Sequence, residues 1–181
     1  MNKLPRVTSI LAPYSDFSMI PPDTLQAAAE RGTKVHEACA AYSIGLWPPV
    51  PEELAGYFKS FKKWFDKYVE EVIAVEVELI HNAWHYIGHA DLIAKVTGLT
   101  SSPVIAVVDY KTPILPSRTW RCQIAGYVEA AKEQYNVAIG GTLQLRKDGS
   151  LPKMIWIDDQ NQAFNAFTAA LSAQNYIKGG K

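Results

Sequence analysis

The sequence has 181 residues, of which 48% are hydrophobic and 11% aromatic, a length and composition that suit one domain with a proper core and exclude a disordered chain. Lys plus Arg and Asp plus Glu balance at 18 each, so no global basic field advertises nucleic acid, and any such partner must be held by a local patch. Cys39 and Cys122 form no CxxC pair, Met1 to Arg6 hold no apolar signal core, and no run approaches the ~18 apolar residues that cross a bilayer, so a cytoplasmic protein with no membrane partner is expected.

Residues 1–22, rich in proline at Pro13, Pro21 and Pro22, read as an N-terminal loop segment. Asp23 is a candidate N-cap for a helix through Leu25, Ala28, Ala29, Val35, Ala38, Cys39 and Tyr42, with His36 riding on it. The break Trp47-Pro48-Pro49-Val50-Pro51 precedes a second helix carrying Leu54, Tyr57, Phe58, Phe61, Trp64, Phe65 and Tyr68 at spacings of 3 and 4, and together these make a helical part over residues 23–71. Lys59, Lys63 and Lys67 line its other side, a charge stripe that reads first as a solvated face and second as a candidate nucleic-acid surface.

The period then changes to two. Strands are expected near Ile73–Ile80, Trp84–Val96 and Val104–Lys111, forming a meander joined by His81-Asn82-Ala83 and by a turn near Gly98. Pro113 and Pro116 end the third strand, and Ser117 is placed to cap a helix through Ile124, Tyr127, Val128 and Ala131. Strands near Ala138–Leu145 and Met154–Ile157 complete a sheet core over residues 72–158, and residues 159–181 carry a last helix with Phe164, Phe167, Ala170 and Leu171. The predicted fold class is α/β, a single domain with a mixed central sheet flanked by helices.

Two acidic positions stand out within this frame, Asp91 in Gly88-His89-Ala90-Asp91 and Asp109 in Val108-Asp109-Tyr110-Lys111. Asp109 and Lys111 end a buried run, and the strand period puts their side chains on one face. Opposite charges at that depth call for an ion pair or a ligand, and the residues alone leave both open. His36 borders the apolar face of Val35, Cys39 and Tyr42, so a histidine hydrogen-bonded in the core is one reading of it. Gln123 and Tyr127 lie one helical turn apart on a shared face. Glu76 and Glu78 alternate with Val75, Val77 and Leu79 and are expected to face solvent, with a secondary role near a metal as an option for Glu78. His81, His85 and His89 crowd the hairpin but lack a tidy zinc spacing and read as surface or substrate-facing.

Taken in order, Arg31-Gly32-Thr33 with His36, Gly88-x-x-Asp91, Asp109-Tyr110-Lys111 and Gln123-x-x-x-Tyr127 resemble the motifs of the PD-(D/E)XK nuclease superfamily, in its RecB-like branch. The resemblance spans Arg31 to Tyr127 and implies a restriction-endonuclease-like αβββαβ core. It implies that Asp91, Asp109 and Lys111 are catalytic and that His36, Asp91, Asp109 and the carbonyl of Tyr110 bind a metal. Such a donor set suits Mg²⁺ or Mn²⁺. It further implies that Gln123 and Tyr127 touch the nucleic acid backbone, with Thr112, Arg118, Trp120 and Arg121 also facing substrate. Two cysteines cannot supply the four that hold an iron–sulfur cluster in some relatives, and there is no Walker A sequence. The compact size and the stretch Leu143 to Gly149 resemble nucleases of phages and prophages.

The implied activity is a metal-dependent deoxyribonuclease. The expectation is an exonuclease for single- or double-stranded DNA in recombination, repair or phage DNA processing, working in a bacterial or phage-infected cell. A recombination or single-strand-binding protein is the partner such a role would bring, and an oligomeric ring would favour processivity. The alternatives are an endonuclease of the same superfamily and a non-catalytic DNA-binding module that retains the fold.

Overall fold

Alternating β-branched and small residues drive the central strands, and helices with one apolar stripe cover both faces of the sheet they build. The computed structural model describes residues 3–113 and 115–179. In chain order the elements are α1 (Val7–Leu11), a 3₁₀ turn (Ala12–Tyr14), α2 (Pro22–Ser43), α3 (Glu52–Tyr68), β1 (Val69–His81), β2 (Tyr86–Val96), β3 (Val104–Lys111), α4 (Thr119–Tyr135), β4 (Ile139–Gln144), β5 (Lys153–Trp156) and α5 (Gln160–Gly179). The strands form one sheet in the order β1-β2-β3-β4-β5. The first three strands pair antiparallel, β3 and β4 pair parallel, and β5 returns antiparallel to β4. A parallel pair needs a crossover, and α4 supplies it. The fold is therefore a mixed α/β sheet flanked by helices, and the expected order of helix, three strands, helix and strand runs from α3 to β4.

Each face of the sheet has its own core. On one face α1, α4 and α5 bury Val7, Ile10, Ile124, Val128 and Phe167 against Tyr86, Ile93 and Val107. On the other, α2 and α3 bury Val35, Cys39, Phe61 and Trp64 against Leu92, Val108, Tyr110 and Leu143. Strand β3 is read by both, with Val107 in the first core and Ala106, Val108 and Tyr110 in the second. That alternation sends Asp109 and Lys111 to the α4 face. Close contact between α4 and β4 depends on Gly140, since a Cβ there would run into the side chains of Ile124 and Val128.

Several sequence-based expectations need correction. The segment 1–22 is not all loop: Val7–Leu11 is helical, Val7 and Ile10 are each 1% exposed, and the backbone beside it pairs with β2 through Ile87 N–H to Pro5 O at 3.0 Å. Five residues are too few to display a helical period, so burial rather than pattern defines this element. Asp23 is not the N-cap of α2; Pro22 occupies the first helical position and Asp23 lies in the first turn. Arg118 is the N-cap of α4, while the Ser117 hydroxyl oxygen accepts the Thr119 N–H at 3.2 Å. The helical part ends at Tyr68 rather than 71, because β1 starts at Val69, and β2 starts at Tyr86 because residues 82–85 form the turn. The ladder around β4 reaches to its expected ends through Ala138 N–H to Ile105 O at 2.9 Å and Leu145 N–H to Lys111 O at 2.8 Å. Among the described residues no helix is long and apolar enough to cross a membrane.

Candidate active site

The site is built where the sheet splits. The ladder between β2 and β3 ends at the pair Leu92 and Val108, so the next residue on each strand, Asp91 on β2 and Asp109 on β3, stands at the mouth of a fork. Strand β3 stays paired to β4 out to Lys111 and Gln144, which leaves its β2-facing edge free. Asp91 fills that edge, with its Oδ2 accepting the Tyr110 N–H at 2.6 Å. In a strand the N–H and C=O of one residue point to the same edge, so the Tyr110 carbonyl also points into the fork.

Around the fork the side chains form a connected set. His36, brought by α2, has Nδ1 3.2 Å from Asp91 Oδ1 and sits edge-on to the Tyr110 ring at 5.6 Å. Lys111 Nζ lies 2.6 Å from Asp109 Oδ2. From α4, the Gln123 amide donates to Asp109 Oδ1 and to the Tyr127 hydroxyl, both at 2.9 Å. Gly88 makes room for this arrangement, because a Cβ there would stand 2.7 Å from the Tyr127 ring. The motif glycine thus serves ring packing between β2 and α4.

Glu76 is the residue that sequence reasoning missed. It lies between the pairs Val75–Leu92 and Val77–Ala90, which makes Asp91 its opposite number. Its φ is +48°, a left-handed backbone that costs a non-glycine residue on the order of 1 kcal/mol or more and breaks the strand alternation locally. Ligand atoms of His36, Glu76 and Asp91 all lie within 4.8 Å of one another. Glu76 faces solvent as expected, its side chain 40% exposed, and at the backbone kink it also comes within reach of His36 and Asp91. Glu78, the glutamate given a secondary option near the metal, is outside that three-residue group and lines a crevice with Arg6 and Tyr127. No spacing signal could have found Glu76, since a left-handed residue inside a strand has no sequence signature for glutamate.

One imidazole and two carboxylates at these separations fit a divalent cation, with the Tyr110 carbonyl aimed into the same fork. Asp109, expected among the ligands, lies outside that three-residue group and is held by Lys111 and Gln123. The electrostatics separate the two aspartates. Burial alone would push Asp91 up, but His36, Lys111 and the Tyr110 N–H together pull it below the usual carboxylate range. Burial, reinforced by Asp91, pushes Asp109 up despite Lys111. For His36, burial works downwards and is outweighed by Asp91, with Asp109 adding to it, so its pKa is raised. The two carboxylates are thus shifted in opposite directions from the same ordinary value, each by its own surroundings.

The other expected residues are more dispersed. Thr112 is buried just beyond β3, Arg118 is exposed at the start of α4, and Trp120 is half-buried one turn from Gln123. Arg121 pairs with Asp158 at 2.8 Å, turned to the β5–α5 side. Lys63 donates to Gly149 O at 2.7 Å, Lys59 packs over Gly149 and Lys67 lies over the Tyr68 ring, so that stripe has structural partners. Of the three hairpin histidines, His81 stacks on Phe164, His85 sits in the turn with φ +50°, and His89 lies 2.8 Å from Glu76. Cys39 and Cys122 are free thiols, Cys39 buried.

No family model matches the chain, and no curated protein matches it. Among solved structures, the crystal structure of SSO0001 is similar to it at 15% identity, covering 97% of this chain and 78% of that one with a TM-score of 0.48.

Proposed function

We propose that this chain is a divalent-metal-dependent deoxyribonuclease that works as an exonuclease in the cytoplasm of a bacterial or phage-infected cell. The observation that carries the reading is the convergence of His36, Glu76 and Asp91 within 4.8 Å beside an Asp109–Lys111 pair at 2.6 Å, all at the mouth of one strand fork. The resemblance of the motifs to RecB-like nucleases supplies the substrate class. Bound at this fork, Mg²⁺ or Mn²⁺ would polarise a phosphate oxygen and lower the pKa of a coordinated water.

The side chains have distinct tasks under this reading. His36, Glu76 and Asp91 would hold the ion, with the Tyr110 carbonyl available from the strand edge. Gln123 and Tyr127 fix the orientation of Asp109, which in turn holds Lys111. Lys111 is 17% exposed, enough for its ammonium to meet a phosphate oxygen and stabilise charge growing there.

Hydrolysis of labelled single- and double-stranded DNA, with and without Mn²⁺, tests the proposal. Divalent-dependent cleavage that falls by about 10²-fold or more in Asp109→Asn and in Lys111→Ala is expected. Absence of cleavage under all conditions, or variants equal to the wild type, overturns it. Closed circular DNA separates the modes of attack, and an exonuclease leaves it intact.

A further inference from the structure

A groove of about 250 Å³ runs between the N-terminal segment and the start of α4, lined by Leu11, Phe17, Pro113, Ser117, Trp120 and Gln123. One of its lining residues is Gln123, whose amide donates to Asp109 Oδ1 at 2.9 Å, so the groove and the carboxylate cluster share a side chain. Among the described residues, no charged side chain lines it. Phe17 is 50% exposed, and in the same segment Tyr14 and Met19 are also exposed, at 58% and 92%. Of these Phe17 borders the groove, and large apolar groups left exposed beside a concave surface mark a binding site.

We propose that this groove binds the unpaired bases of a single nucleic acid strand, with Phe17 and Trp120 as stacking platforms and the sugar–phosphate chain led past Gln123 to Lys111. The inference rests on the phosphodiesterase reading of the adjoining cluster. Two observations and one property of nucleic acids select this occupant. Among the described residues the lining holds no cation to draw in phosphates, while its Phe17 and Trp120 rings suit the flat apolar face of a base. The groove adjoins the candidate catalytic cluster at Gln123, which lines the one and bonds Asp109 in the other. A duplex hides its base faces in its own stack, so only a single strand or a frayed end can use two aromatic platforms. The groove thus gives the site a preference for unpaired ends, which suits attack from a terminus.

The test uses the full chain in chelator, so that no cleavage intervenes, and follows the anisotropy of a labelled oligothymidylate and of a blunt duplex of equal length. Wild-type protein is expected to bind the single strand more tightly than the duplex. Phe17→Ala and Trp120→Ala are each expected to weaken single-strand binding by about 5- to 100-fold, the range for loss of one stacked base, and Trp120→Phe to restore most of it. Thermal melting of each variant runs in parallel; if Trp120→Ala is unfolded, Phe17→Ala and the Trp120→Phe comparison still decide. Equal affinity of wild type for both DNAs, no single-strand binding at all, or unchanged binding by folded Phe17→Ala overturns the inference. Mn²⁺-dependent cleavage with unchanged Phe17→Ala binding removes the groove and keeps the nuclease. Stacking-dependent binding without any cleavage keeps the groove and removes the nuclease.

Discussion

At the scale of single residues, Glu76 and His36 make the most distinctive claims. A glutamate at φ +48° inside a strand is held there against its own backbone preference, and its carboxylate stands with that of Asp91. Glu76→Gly removes both the left-handed strain and one negative charge, so in chelator it is expected to melt no lower than wild type. It should also lose most of the rise in melting temperature that Mn²⁺ gives the wild type, because a ligand stabilises only in proportion to its affinity for the folded state. A melting series with and without Mn²⁺ reads both effects.

His36 has a pKa raised above its ordinary 6.5, burial being outweighed by Asp91. A group whose folded pKa lies higher than its unfolded one contributes stability that is fully present below 6.5 and is lost as pH rises through the folded value. Asp91 has the opposite sign: its pKa lies below the ordinary 3.8, so its contribution is present above 3.8 and lost as pH falls through its folded value. Metal binding requires neutral His36, so Mn²⁺ affinity should rise over the same window in which metal-free stability falls. His36→Asn is expected to flatten the metal-free stability slope above pH 6.5, measured by melting in chelator at a series of pH values.

At the scale of elements, the packing of β2 against α4 decides whether the site forms. The Tyr127 ring lies over Gly88, and a methyl group there would be 2.7 Å from it. Gly88→Ala is expected to cost about 1–3 kcal/mol in stability, as overpacking does, and to shift Tyr127, with Gln123 and Asp109 following through the 2.9 Å bonds that join them. Urea denaturation measures the first effect; a drop in cleavage rate larger than the loss of folded protein measures the second. The same element pair explains why a short N-terminal helix belongs to the core: Val7 packs beside Gly88 and Gly126 on the α4 face.

At the scale of the whole molecule, 18 basic and 18 acidic side chains cancel, and many of the exposed cations are already paired or packed, Arg121 with Asp158 and Lys95 with Glu70 among them. DNA held by such a surface should depend on salt only weakly. With about three phosphate contacts, the slope of log affinity against log salt for a single strand is expected to be about −2, measured by anisotropy in chelator. A slope several times steeper would point to a basic surface away from the fork.

The sequence by itself determined the order of the main elements, the period-two run ending in Asp109 and Lys111, and the pairing of Gln123 with Tyr127, because periodicity and helical spacing are local properties of the chain. It also made His36 and Asp91 candidates, although nothing local required them to meet. Only the tertiary structure decided that the β2–β3 ladder stops at Leu92 and Val108, that Glu76 rather than Glu78 joins His36 and Asp91, and that Val7–Leu11 is a helix lodged under α4. Each of these depends on contacts between residues far apart in sequence, where backbone strain, burial and the end of a strand pairing are set by the partner and leave no pattern in the chain itself.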